Sequence, residues 1–316
     1  MKGLAAISSS GLIALISVFC ISFRAHADTL YVANDANNTI VKIDSSGNAS
    51  VFASSGLNRP EGMAFDSSGN LFVANGNGTI EKFDPSGNGS VFASSQLDFP
   101  LGPVNAVGLA FDSSGNLYAV DPVRERILKF DPQGHASVFV ANSSLLFGAE
   151  GLAVDGSGNV YVANNLNNSV AKFDTNGMGS VFVSPVFTDT NNPPVGNSPT
   201  GLAFDSSGNL YIGNDGTGVI MKFDTNGNGS LFNSIPTLGD INGLAIGSGG
   251  NLYTTDYSGD ILVKWDASGH GSIIADATDG LDGPMFIAVQ VPEPATWLLA
   301  TAGTLLLWPF LKRKRM

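Results

Sequence analysis

Between residues 28 and 290 the chain is a succession of short apolar runs, each closed by Gly, Asn, Asp or Ser. One unit reads GMAFD at 62–66, NLFVAN at 70–75, TIEKFD at 79–84 and GSVFAS at 89–94. It restarts at Gly108, Gly151, Gly201 and Gly243, and a sixth start is assigned to Gly283, giving spacings of 46, 43, 50, 42 and 40 residues. Four runs separated by tight-turn residues predict four strands per unit. A four-stranded unit repeating every 40 to 50 residues is what a propeller blade requires. The ends set the blade number. The chain enters at Leu30–Asn34, a second strand without its first, and leaves at Gly283–Gln290, a first strand with nothing after it. Joined, they complete one composite blade. The prediction is an all-β, six-bladed β-propeller over residues 28–290, closed by strand 283–290 and left without open edges.

The repeat also sorts the polar residues, because a side chain present at one place in every blade is scaffold before it is site. Asp66, Asp112, Asp155 and Asp205 open the turn after the first strand. Asp44, Asp84, Asp131, Asp174, Asp224 and Asp266 open the turn after the third. Such aspartates cap turns through backbone amides. Lys42, Lys82, Lys129, Lys172, Lys222 and Lys264 form a further repeated ring. His135 and His270 stand just after a turn glycine, where sister blades carry Asn48, Asn88, Met178 and Asn228. They read as turn residues on the outer rim, so a catalytic histidine near the axis is not expected.

The opposite face is the candidate binding face. It is expected to carry Asn34, Asn75, Asp121, Asn164, Asn214 and Asp256 at the second-strand ends. Nearest the axis are the residues before each first-strand glycine: Glu61, Val107, Glu150, Thr200, Asn242 and Asp282. This second set varies between blades. Glu61, Glu150, Asn242 and Asp282 supply hard oxygen atoms of the kind that suits Ca²⁺ or Mg²⁺; the alternative is a solvated polar channel mouth. The longest connections, 96–107 and 185–200, frame the same face.

The two termini read as targeting segments. Lys2, an apolar run from Leu12 to Ile21 and the small residues Ala25 and Ala27 predict a signal peptide over 1–27, cleaved after Ala27; the alternative is a retained anchor. Cys20, the only cysteine, falls inside it, so the mature chain has no disulfide. At the other end Pro292-Glu293-Pro294 precedes an apolar stretch from Ala295 to Leu311 and the basic cluster 312–315. The length is at the lower limit for a transmembrane helix, with its basic end in the cytoplasm. Removing the targeting-segment charges leaves the body with 9 basic and 26 acidic residues, a formal charge of −17. Such a surface excludes nucleic acid and anionic lipid as partners and favours cations or neutral ligands.

The order Pro-Glu-Pro, apolar helix, basic end over 291–316 resembles the PEP-CTERM sorting signal of Gram-negative bacteria. The resemblance implies an exosortase-type sorting protease as partner, a transient membrane anchor, and delivery to the cell surface or extracellular polysaccharide matrix. The repeats, for example YAVDPVRERILKFD at 118–131, resemble NHL-type propeller repeats, which mostly mediate interactions. Glu61-Gly62, Glu150-Gly151, Asn242-Gly243 and Asp282-Gly283 are also similar to gluconolactonase-type propellers, in which such residues hold one metal at the channel mouth. Streptogramin-lyase-type propellers use a catalytic histidine that has no counterpart here near the axis. Two functions therefore stand: a non-enzymatic surface module that binds a glycan, matrix component or protein, and a divalent-metal-dependent hydrolase or lactonase.

Overall fold

The computed structural model describes residues 28–94, 106–141, 143–184, 198–234 and 238–290. The expected signal segment with Ala27, most of the two long connections, and the sorting tail with Pro292, Glu293, Pro294 and helix 295–311 lie outside the described residues. Among those described, no helix is long and apolar enough to cross a membrane, and helix is confined to three short 3₁₀ turns.

Six antiparallel four-stranded sheets form the propeller. In blade 1 the strand order is Pro284–Gln290, Thr29–Asn34, Thr39–Ile43, Ala49–Ala53, so the last strand among the described residues is the innermost strand of the first blade. Residues 60–94, 109–140, 149–183, 199–234 and 241–275 supply blades 2 to 6 in order. Closure pairs Thr29 with Gln290, Leu30 with Val289 and Val32 with Ile287, as expected of the composite blade.

The second strands are buried along their whole length, as in Leu71–Asn75 and Val160–Asn164, because neighbouring blades cover both their faces. An apolar cluster fills each of the six blade interfaces. Phe72, Ile80, Leu109, Leu117 and Phe130 pack between blades 2 and 3, and Leu30, Val32, Tyr253, Leu262 and Ile287 between blades 6 and 1. With no disulfide, this burial and the strand pairing hold the ring together.

The repeated polar residues are scaffold. The Asp84 carboxylate accepts backbone N–H bonds from Ser86 and Asn88 and a side-chain bond from Asn88. Asp112 does the same with Ser114 and Asn116, and receives the Tyr118 hydroxyl. Each repeated lysine lies over the aromatic ring opposite it on the second strand, Lys222 over Tyr211 at 4.9 Å and Lys42 over Tyr31 at 5.7 Å. His135 and His270 are exposed and face only their turn partners Asp131 and Asp266.

Candidate functional site

At the inner strands blades meet backbone to backbone. A Cβ on Gly62 would overlap the Val107 carbonyl oxygen, and one on Gly151 that of Thr200, so these positions admit only glycine. The residue just before each such glycine is carried to the rim of the channel. Glu61, Val107, Glu150 and Asn242 line one cavity there, of about 440 Å³. Thr200 does not join them; its hydroxyl turns sideways and donates to the Ile241 carbonyl at 2.6 Å.

Asp282, expected in this ring, is not part of it. In blade 1 it is Pro284 that pairs with Asn34, as Pro60 pairs with Asn75 and Ile241 with Asp256. The closing strand is therefore three residues out of step with the Gly283 assignment. Met285 takes the place of Glu61, and Phe286 takes the place of the glycine. Asp282 is exposed and outside the cavity, with its backbone N–H bonded to Asn34 Oδ1. Phe286 lines both the mouth cavity and a second one of about 410 Å³ towards the other end of the inner strands.

The second-strand ends also differ from expectation. Asn34, Asn75, Asp121, Asn164, Asn214 and Asp256 are buried to 2% exposure or less and do not line the mouth. All but Asp121 tie their own turn to the preceding loop. Asn164 accepts from Phe147 N–H and donates to the Leu145 carbonyl and the Ser169 hydroxyl. Asp256 accepts from Gly239, Asp240 and Gly259 N–H. Asp121 accepts from Arg124 N–H and pairs with the buried Arg126 at 2.9 Å. The residue one step further along faces the cavity instead: Asp35, Pro122, Asp215 and Tyr257. Strand side chains alternate, so one step changes the face completely. That alternation was the signal in the sequence that would have found them. Arg59 and Asp240 join from the loops before the first strands.

Among the described residues the result is a funnel with five carboxyl groups, Asp35, Glu61, Glu150, Asp215 and Asp240, against one cation, over a floor of Met285 and Phe286. Arg59, held at positive φ, is taken up by Asp35 at 3.0 Å. Burial raises Glu61 to about 7, with Arg59 opposing and Asp35 adding to the rise. Burial raises Glu150 to about 7 as well, helped by the charges of Asp215 and Glu61 and opposed by a 2.7 Å bond from Asn165. Asp215 is pushed up by burial and by the Asp240 carboxylate beside it. Glu61 and Glu150 are thus poised to hold protons near neutral pH, first of all because they are buried.

The residues present do not make the expected Ca²⁺ or Mg²⁺ cage. With Asp282 elsewhere, Glu61, Glu150 and Asn242 remain. Among the described residues no three His, Cys, Asp or Glu side chains converge closely enough to hold a metal ion.

No protein-family model matches the sequence, and no curated protein does. Solved structures do. A chain of the nidogen/laminin complex superimposes with a TM-score of 0.68 at 17% identity, covering 83% of this chain and 98% of that one. A gluconolactonase from Xanthomonas campestris gives 0.56 at 18% identity, covering 79% and 81%. Virginiamycin B lyase from Staphylococcus aureus gives 0.53 at 15% identity, covering 68% and 69%. At such identities the likeness shows the fold alone, which in this chain is a β-propeller of six four-stranded blades.

Proposed function

We propose that this protein is an exported surface β-propeller that binds a cationic or hydroxyl-rich ligand, such as a glycan or matrix component, in the acidic funnel. The observation that carries the reading is the gathering of five carboxyl groups and one arginine around a single cavity with an apolar floor. Protonated glutamates donate hydrogen bonds, ionised ones accept them or pair with a cation, and Tyr257 and Phe286 offer apolar faces to a sugar ring or alkyl chain. Delivery by the Pro-Glu-Pro sorting tail would place such a module at the cell surface. A glycan array and a titration with polycationic peptides test it. Binding should weaken at least tenfold in Glu61→Gln/Glu150→Gln. Silence in both assays, or equal binding by the variant, refutes the reading.

The second reading, a hydrolase or lactonase, rests on Glu61 and Glu150 near 7, the range of a general base at neutral pH; the divalent-metal dependence expected from the sequence is not carried by the described residues. Melting with EDTA and with Ca²⁺ decides it. Identical melting curves, together with no turnover of a lactone panel, exclude that reading.

A further inference from the structure

The turn after the first strand follows one rule in blades 2 to 5. An aspartate at its first position accepts the N–H two residues on, and in blades 3 to 5 also the hydroxyl of a tyrosine six residues on. Asp155 takes Ser157 N–H at 2.9 Å and Tyr161 Oη at 3.4 Å; Asp205 takes Ser207 N–H at 2.9 Å and Tyr211 Oη at 3.4 Å. Blade 6 keeps the same turn. Gly247 N–H donates to the Asn251 carbonyl as Asp205 N–H does to that of Asn209, and Tyr253 stands where Tyr211 does. Yet Gly247 has no carboxylate to give.

The missing group comes from the residue that leads into blade 1. Asp28, just before the second strand of blade 1, accepts Ser248 N–H at 2.8 Å through Oδ1 and the Tyr253 hydroxyl at 3.0 Å through Oδ2. The tyrosine hydroxyl is the donor that the turn aspartates serve in blades 3 to 5, and the backbone donor, Ser248, belongs to the same turn one residue before the position whose N–H those aspartates accept. Asp28 is 8% exposed, and a Cβ on Gly247 would overlap Asp28 Oδ2. Nothing in the backbone of Gly247 calls for glycine, because its φ lies outside the left-handed region. The glycine makes room for the incoming carboxylate.

We propose that Asp28 is a closure latch. It supplies across the blade boundary the turn carboxylate that blade 6 lacks, so that completing blade 6 and fastening the start of blade 1 are one event. The ring is then closed at two points, the pairing of Thr29–Asn34 with Pro284–Gln290 and this latch beside it. Asp28 is a positioning residue, and the relation between it and Gly247 is reciprocal.

Paired substitutions in the full-length chain test it by thermal melting and amide hydrogen exchange. Asp28→Ala should lower the melting temperature by roughly 5 °C or more, since it leaves buried donors without their charged acceptor. Gly247→Asp alone should also destabilise, because two carboxyl groups contend for one place. The double variant Asp28→Ala/Gly247→Asp should melt above either single variant, with the turn carboxylate restored in place. Its Leu30–Val32 amides should still exchange at least tenfold faster than in the parent, since the start of blade 1 is no longer tied down. A double variant no more stable than Asp28→Ala would overturn the shared-carboxylate assignment. Parental exchange rates at Leu30–Val32 in the double variant would overturn the latch.

Discussion

The two faces of this ring use carboxylates in opposite ways. At the blade turns each aspartate is surrounded by donors: the Asn88 side chain and the backbone N–H groups of Asn88 and Ser86 hold Asp84 below its ordinary value. Asp224 is held down in the same way by Asn228 and Asn226. At the funnel the carboxyl groups of Glu61, Glu150 and Asp215 are pushed up, first of all by burial. The first group is fastened to the fold and cannot serve a ligand without releasing a turn. The second is under-supplied with donors and has its electrostatic need still open. A carboxylate's repeat position and its donors, not its presence alone, separate scaffold from site.

Four variants sharpen or break this contrast. The largest effect belongs to a half-buried turn aspartate: Asp205→Ala removes the acceptor of two backbone N–H groups and the Asn209 amide, and should cost about 1–3 kcal/mol in chemical denaturation. At the funnel the sign reverses. Glu61→Gln/Glu150→Gln should be more stable than the parent at pH 8, by about 1–2 kcal/mol once partial exposure is allowed for. The pH dependence follows from the direction of the shifts. A glutamate raised to about 7 in the folded state binds its proton more tightly there than in the unfolded chain, so it opposes folding when ionised. Parental stability should therefore rise as pH falls from about 7 towards 4.5, and this slope should flatten in the double glutamine variant. Turn aspartates such as Asp84, Asp205 and Asp224, with folded values lowered, contribute stability above their unfolded values and lose it as pH falls further. Urea denaturation between pH 8 and pH 3 reads both limbs, and a monotonic fall from pH 8 downward would break the contrast.

Glu81 tests the same principle away from any cavity mouth. It is 7% exposed at a strand position where sister blades carry Val41, Leu128, Ala171, Met221 and Val263, and burial raises it. Glu81→Val should stabilise by about 1 kcal/mol at pH 7, measured by the same denaturation. The smallest effect is expected at His135. It is exposed and holds only Asp131, so His135→Asn should leave melting and ligand binding unchanged.

Much of this was legible in the sequence. The four-run unit gave the blades, the missing first strand at Leu30 gave the closure, and repetition marked the turn aspartates and the lysine ring as scaffold. Glu61, Glu150 and Asn242 were placed at the mouth by their glycines, and they line it. Three features were misread or unseen, each for a definable reason. The repeat points to Asn34, Asn214 and Asp256 as lining where Asp35, Asp215 and Tyr257 stand instead, because a pleated strand turns its face at every residue. Asp282 was assigned to the ring because glycine spacing was extended to the one blade that carries Phe286 at the glycine position. Asp28 looked like an ordinary residue at a segment boundary.

What the sequence determined by itself is whatever repeats. Periodicity, turn chemistry and an incomplete unit at each end specify the number of blades and the way the ring shuts, because local propensity and burial act alike in every copy. Tertiary structure decided what happens once. Only pairing across the ring sets the three-residue offset of Pro284–Gln290, gathers the funnel from blades distant in the chain, and carries Asp28 to Ser248, 220 residues away. These contacts are fixed by the geometry of closure, and no local pattern encodes it.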